Sequence, residues 1–178
     1  MTNEILEGAR IFCGPLDEVH NTIKKHNIGW LVSAINSDKM LETPDDIEND
    51  RHLKLAMNDI SADRDGLILP NQVHVQRLID FIQGWDQMSP LLIHCWAGVS
   101  RSTAATFISL CCLNEAVSEK DIAYILRQAS PTATPNIRLV SLADDLLGRS
   151  GRMVEAIDLI GQGEMAFEGA VFSLSAKV

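Results

Sequence analysis

Apolar and polar positions along the first half of the chain follow two alternating periods. Residues 9–14, ARIFCG, form a short β-rich run closed by Gly14-Pro15 and predict a first strand. Leu16, Val19, Ile23 and Ile28 then recur near helical spacing, which predicts a helix to about residue 26. GWLVSAI (29–35) reads as a second strand. RHLKLAM (51–57) reads as a third, because Leu53, Leu55 and Met57 alternate with more polar neighbours. Between them, NSDKMLETPDDIEND (36–50) is polar, acidic and Pro-containing, so it reads as a surface loop. SADRDG (61–66) is a second loop, and from Pro70 a helix carries Val73, Leu78, Ile79, Phe81 and Ile82 to about Trp85. PLLIHC (90–95) is continuously apolar, as expected of a strand in the middle of a covered sheet.

After Arg101 the pattern becomes helical. Residues 101–115 form one run, and SEKDIAYILRQAS another, opened by a capping box at Ser118-x-x-Asp121. PNIRLVSLADDLLG starts after Pro135 and stops at Gly148, and RMVEAIDLIG gives a fourth helix. The tail EGAVFSLSAKV alternates weakly and reads either as an added strand or as loose chain. Strands alternating with helices, then a helical cluster, predict an α/β fold: a mainly parallel central sheet flanked by helices. One domain is expected over 1–178, with a core at about 10–147 and a C-terminal helix and tail over 148–178.

Composition narrows the class. With 178 residues, 46% hydrophobic and 22% charged, the chain can bury a sizeable core. It contains no apolar run long enough for a membrane span and no secretory leader pattern at its start. The four cysteines, Cys13, Cys95, Cys111 and Cys112, lack metal-ligand or disulfide-framework spacing, so a reducing cytoplasm is the expected location. A net charge of -9 weighs against nucleic acid or an anionic membrane as partner. It leaves room for a local positive pocket.

The stretch HCWAGVSRS (94–102) is such a pocket in outline. It sits where a strand ends and a helix begins, the place where open α/β sheets bind ligands. Successive amides of Trp96, Ala97, Gly98, Val99 and Ser100 can form an anion cradle, and the following helix adds its positive end. Arg101 supplies a planar fork matched to two oxygens of a phosphate. A neighbouring cation and a helix N-terminus favour thiolates, so Cys95 is expected to be a nucleophile placed for in-line attack on a bound phosphoryl group. Ser102 is expected to hydrogen-bond the sulfur, and His94 to hold the loop backbone. The alternative is a buried structural cysteine beside a surface arginine. Cys-x5-Arg-Ser between an apolar strand and a helix weighs against it. Gly-Lys-Ser/Thr, the mark of a nucleotide-binding loop, is absent.

A leaving alkoxide or phenoxide needs a proton. Asp59, just past the third strand, is the expected acid, with Asp63 and Asp65 on the same loop as rivals. They flank Arg64 in a polar turn and read as solvated carboxylates.

His94-Cys95-x5-Arg101-Ser102 resembles the signature of cysteine-dependent protein tyrosine phosphatases, and the layout resembles their compact dual-specificity branch. The resemblance spans roughly residues 10–147. It implies that the Asn58-Asp59 pair carries the general acid, that RIFCG is the first strand, and that Asn136 supports the phosphate loop. It also implies a metal-free, cofactor-free hydrolase of phosphomonoesters acting through a phosphocysteine. Its substrate would be a phosphorylated protein, carrying phosphotyrosine or phosphoserine/threonine, or a small phosphomonoester. A phospho-binding module without turnover is the alternative, and sulfurtransferase or arsenate chemistry a third. Arg101 speaks against sulfur transfer. The chain departs from the larger tyrosine-specific enzymes in length, and from phosphoinositide-directed relatives in having no Lys in the loop.

Three further features bear on the site. Trp96 either packs behind the loop, the preferred reading, or faces the pocket rim. Cys111 and Cys112 lie along a helix roughly 20 Å from Cys95, beyond the roughly 7 Å that a disulfide spans, and read as core cysteines. Cys13 stays open as a resolving thiol. His20, His26, His52 and His74 have no ligand-like spacing, so no metal is expected.

Overall fold

The computed structural model describes residues 9–178. The absence of a leader, read from the start of the chain, rests largely on residues 1–8 and lies outside the described residues. Five strands, β1 (Arg10–Pro15), β2 (Trp30–Ile35), β3 (His52–Ala56), β4 (Leu91–Cys95) and β5 (Phe172–Ser175), form one sheet in the order β3-β2-β4-β1-β5. The first four are parallel, and β5 runs antiparallel against β1 at the edge. The tail therefore adds a strand: Leu174 pairs with Ile11 and is buried.

The helices are α1 (Val19–His26), α2 (Gln72–Gly84), α3 (Arg101–Leu113), α4 (Glu119–Ala129), α5 (Ile137–Leu146) and α6 (Arg152–Ile160). The sheet's period of two sorts its side chains between two cores. Phe12, Leu31 and Leu92 face α1, packing with Val19, Ile23 and Ile28. Their neighbours Ile11, Val32, Leu91 and Ile93 face the helical cluster. Helix α3 lies at the centre of that cluster, buried on every side from Arg101 to Cys111, and its polar side chains are small apart from Arg101.

Caps differ in small ways from the sequence pattern. Helix α1 starts later than its apolar spacing suggests, because Leu16–Glu18 form a separate 3-10 turn. Asn71, rather than Pro70, opens α2, its side chain accepting from the amides of Val73 and His74. Ser118 Oγ caps Asp121 N–H at 3.2 Å and also donates to Asp121 Oδ2 at 2.8 Å, which ties up that carboxylate locally. The 36–50 loop is not featureless: it holds 3-10 turns at Ser37–Lys39 and Asn49–Arg51.

Because β1, β2, β3 and β4 are parallel, their C-terminal ends lie along one edge. Gly14-Pro15, Asn36, Met57–Asp59 and Cys95–Ser100 therefore meet there, and the N-terminus of α3 points at the same place.

Candidate active site

A cavity of about 320 Å³ opens at that edge, lined by Asn36, Asp59, Cys95, Trp96, Ser100 and Arg101, among others. Cys95 ends β4 and is buried, and its Sγ lies 3.1 Å from Ser102 Oγ on the first turn of α3. The 96–100 loop between them is shaped from outside. Trp96 O accepts from Leu16 N–H at 3.1 Å, Ala97 O from Gly169 N–H at 2.8 Å, and Val99 O from Thr134 N–H at 2.9 Å. Ser100 O accepts from Asn136 N–H at 3.3 Å and from Ala104 N–H at 2.9 Å. Thr103 Oγ1 adds bonds to Val99 O and Ser100 O. With the carbonyls engaged outward, the amides of Ala97, Gly98, Val99 and Ser100 find no protein acceptor among the described residues. Unpaired backbone donors are costly unless a ligand or water takes them. Gly98 makes the curve possible: its φ is +70°, and a Cβ there would stand 2.7 Å from Gly14 C and Pro15 N.

Arg101 is only 5% exposed. Its Nη1 donates to Asn36 Oδ1 at 2.6 Å and to Met57 O at 2.8 Å, which fixes the guanidinium plane. Its Nε is buried and has no partner among the described residues. A buried cation with one edge clamped and the other unsatisfied, beside a row of unpaired amides, is an arrangement completed by a polyoxygen anion.

Asp59 reaches the mouth of this cavity. Its Oδ1 accepts from Ser100 Oγ and from Asn136 Nδ2, both at 2.8 Å, while Oδ2 has no partner among the described residues. Asn136 joins three elements: its amide nitrogen bonds Asp59, its backbone N–H bonds the loop, and its Oδ1 caps α5 through Arg138 and Leu139 N–H. Asp63 and Asp65 are exposed and do not line the cavity.

His94, fully buried, contacts Cys95 O through Nδ1 at 3.2 Å and Ser33 Oγ through Nε2 at 2.6 Å. Ser33 Oγ also meets His52 Nε2 at 2.8 Å, and His52 Nδ1 meets Thr43 Oγ1 at 2.9 Å. A carbonyl can only accept, so Nδ1 of His94 carries a proton, and with both imidazoles neutral every other role in the chain follows. Thr43 donates to His52, His52 to Ser33, Ser33 to His94, and His94 to the Cys95 carbonyl. Burial favours the neutral form of both imidazoles. Burial, then the charge of Lys54 and competition with His94 for a second positive charge, push His52 down to about 4. Burial pushes His94 down to about 4 as well, with Arg101 adding to it and the bond to Cys95 O opposing it.

One expectation changes. Trp96 does not pack behind the loop: it is 47% exposed, lines the cavity, and carries Lys39 Nζ 5.8 Å from its ring centroid. Cys13 lies buried in β1, opposite Ile93, and burial pushes its thiol up to about 12, with the hydroxyls of Thr106 and Ser102 opposing the shift and nearby Cys95 adding to it. All four cysteines are free. Cys111, raised chiefly by burial and then by the Glu119 charge, is a core residue, and Cys112 is half-buried beside it. The sequence pattern gave no signal for Asn36, Ser33 or His52, whose roles come from parallel-strand register, nor for Ala166, which reaches the cavity from the C-terminal segment.

An α/β sheet of this strand order, with helices on both faces, is the fold of compact dual-specificity phosphatases, as solved structures show. DUSP15 superposes with a TM-score of 0.57 at 18% identity, covering 87% of this chain and 93% of that one. The human tyrosine phosphatase-like serine/threonine/tyrosine-interacting protein gives 0.61 at 20% identity, over 82% and 95% of the two chains. PTPMT1 in complex with PI(5)P gives 0.55 at 12% identity, over 79% and 94%. No protein-family model and no curated protein matches the chain. Among the described residues, no helix is long and apolar enough to cross a membrane.

Proposed function

We propose that the chain is a phosphomonoester hydrolase working through a phosphocysteine. The observation that carries this reading is the row of unpaired 97–100 amides and the unpaired Arg101 Nε around Cys95. The 97–100 amides and Arg101 hold the phosphate oxygens, and Trp96 borders the opening. Cys95 Sγ attacks phosphorus while the ester P–O bond breaks. Asp59 Oδ2 gives its proton to the leaving oxygen. Water then attacks the phosphocysteine, its proton passing to Asp59, and the sulfur departs accepting a hydrogen bond from Ser102. His94 and Asn136 keep loop and acid in place.

Substrates on this reading are phosphorylated proteins, with phosphotyrosine and phosphoserine/threonine both to be tested. The neighbour solved with PI(5)P makes a phosphoinositide the comparison to run beside them. The test is hydrolysis of p-nitrophenyl phosphate with vanadate as competitor. Wild type turns over and vanadate blocks it, while Arg101→Lys, a point charge in place of the fork, loses most of kcat/KM. Vanadate-insensitive turnover, or full activity in Arg101→Lys, overturns the reading. Phosphate-analogue binding without turnover would instead support a binding module.

A further inference from the structure

Residues 161–169 leave α6 and cross the mouth of the cavity before entering β5. Arg127 clamps the first foot of this arch, donating to the carbonyls of Ile160 and Gly161, both at 2.7 Å, and of Ala133 at 2.9 Å. Gly163 N–H donates to Thr134 Oγ1 at 3.1 Å, and Glu164 N–H to Pro131 O at 2.9 Å. A Cβ on Gly163 would stand 2.6 Å from Thr132 C, so only glycine lets the backbone lie this close. The second foot is Gly169, bonded to Ala97 O at 2.8 Å within the cysteine loop itself.

Between the feet, residues 165–168 make no backbone hydrogen bond among the described residues. Met165 is 96% exposed and Phe167 92%, so neither contributes to the core. The arch borders a second cavity of about 490 Å³, which shares Val99, Ser100 and Ala166 with the first. Thr134, Glu164, Met165 and Phe167 also line it. Among the described residues that line it, Glu164 alone is charged, and the arch itself, residues 161–169, carries Glu164 and Glu168 and neither Lys nor Arg.

We propose that this second cavity is a side-chain subsite that takes an arginine or lysine close in sequence to the phosphorylated residue of a polypeptide substrate. The aliphatic stem lies against Val99, Met165 and Phe167, and the cationic head meets the Glu164 carboxylate. Charge decides against a polyanionic lipid headgroup, which would bring its negative charges to an acidic arch on a chain of net charge -9. The inference rests on the phosphatase reading, because it requires the first cavity to hold the phosphate.

The test compares phosphopeptides that differ only in carrying Arg, Gly or Glu beside the phosphorylated residue. Wild type should favour Arg over Glu by about five- to tenfold in kcat/KM, the range one exposed ion pair with an apolar contact supports. The preference should shrink at high salt. In Glu164→Gln, and separately in Met165→Ala/Phe167→Ala, the Arg-to-Gly ratio should fall towards one. An unchanged ratio in both variants overturns the proposal. So does faster turnover of phosphatidylinositol phosphate in neutral-lipid vesicles than of any of the peptides. If wild type leaves p-nitrophenyl phosphate intact, the phosphatase reading fails by itself. Fluorescence anisotropy of the same peptides on Cys95→Ser protein then reads the Arg preference without turnover, and its absence there overturns the subsite.

Discussion

At the scale of single residues, the site is built by partnering most polar atoms, some of them twice, and leaving a few without a partner among the described residues. Asn36 and Met57 O hold one nitrogen of Arg101 so that Nε stays aimed and unsatisfied. Asp59 has one oxygen tied by Ser100 and Asn136 and one free. Asp59→Asn should therefore slow hydrolysis by about 10²–10⁴-fold for poor leaving groups, and much less for p-nitrophenolate. Asp63→Asn should leave the rates unchanged, and the leaving-group dependence of kcat/KM checks both. Ser33 is the pivot of the histidine chain, accepting from His52 and donating to His94. Ser33→Ala should cost about 1–3 kcal/mol, measured as a shift in the urea midpoint, since it strands two buried imidazole nitrogens. Cys95, Arg101 and Ser102 were legible because their spacing is local. Asn36, Ser33 and His52 were not, because nothing in a polar loop or an apolar strand says which residue a neighbouring strand will face.

Elements carry the next level. Four parallel strands bring separate loops to one edge, and α3 adds its N-terminus beneath the cysteine. The alternation of apolar positions made these strands and helices readable with ends shifted by a residue or two. The weak alternation of the tail was ambiguous because β5 is a short edge strand, with only Leu174 buried among its four residues. Far from the site, Glu119 at the start of α4 is buried and bonds Arg149 at 3.2 Å and Arg152 at 3.1 Å, tying α4 to the α5–α6 turn and to α6. Burial opposes its charge, but the bonds from Arg152 and its own backbone N–H, with both arginine charges, hold its carboxyl below the usual range. Glu119→Gln leaves buried Arg149 uncompensated and should cost about 3–5 kcal/mol, seen as a lowered melting temperature. A melting temperature equal to wild type would show that the bridge does not hold the helices.

The whole molecule responds to pH through His52 and His94. Each is neutral in the fold and pushed down to about 4, whereas the unfolded chain titrates near 6.5. Below 6.5 the unfolded state binds protons that the folded state refuses. Their contribution is therefore complete above pH 6.5 and is lost as pH falls towards 4. Urea midpoints should fall between pH 7 and pH 5, where Glu119 stays charged, and a flat profile would contradict the assignment of two neutral imidazoles. The same chain of bonds ends on the Cys95 carbonyl, so fold stability and the shape of the cysteine loop are linked. That linkage matters only if the loop holds a phosphoryl group for Cys95 to accept. The most direct measurement is acid quench of wild-type protein during turnover of p-nitrophenyl phosphate, followed by peptide mass mapping. The prediction is one phosphoryl group on the peptide bearing Cys95, and none in Cys95→Ser, which should not turn over. Steady turnover with no phosphoryl group on Cys95, or turnover that survives Cys95→Ser, would contradict the account.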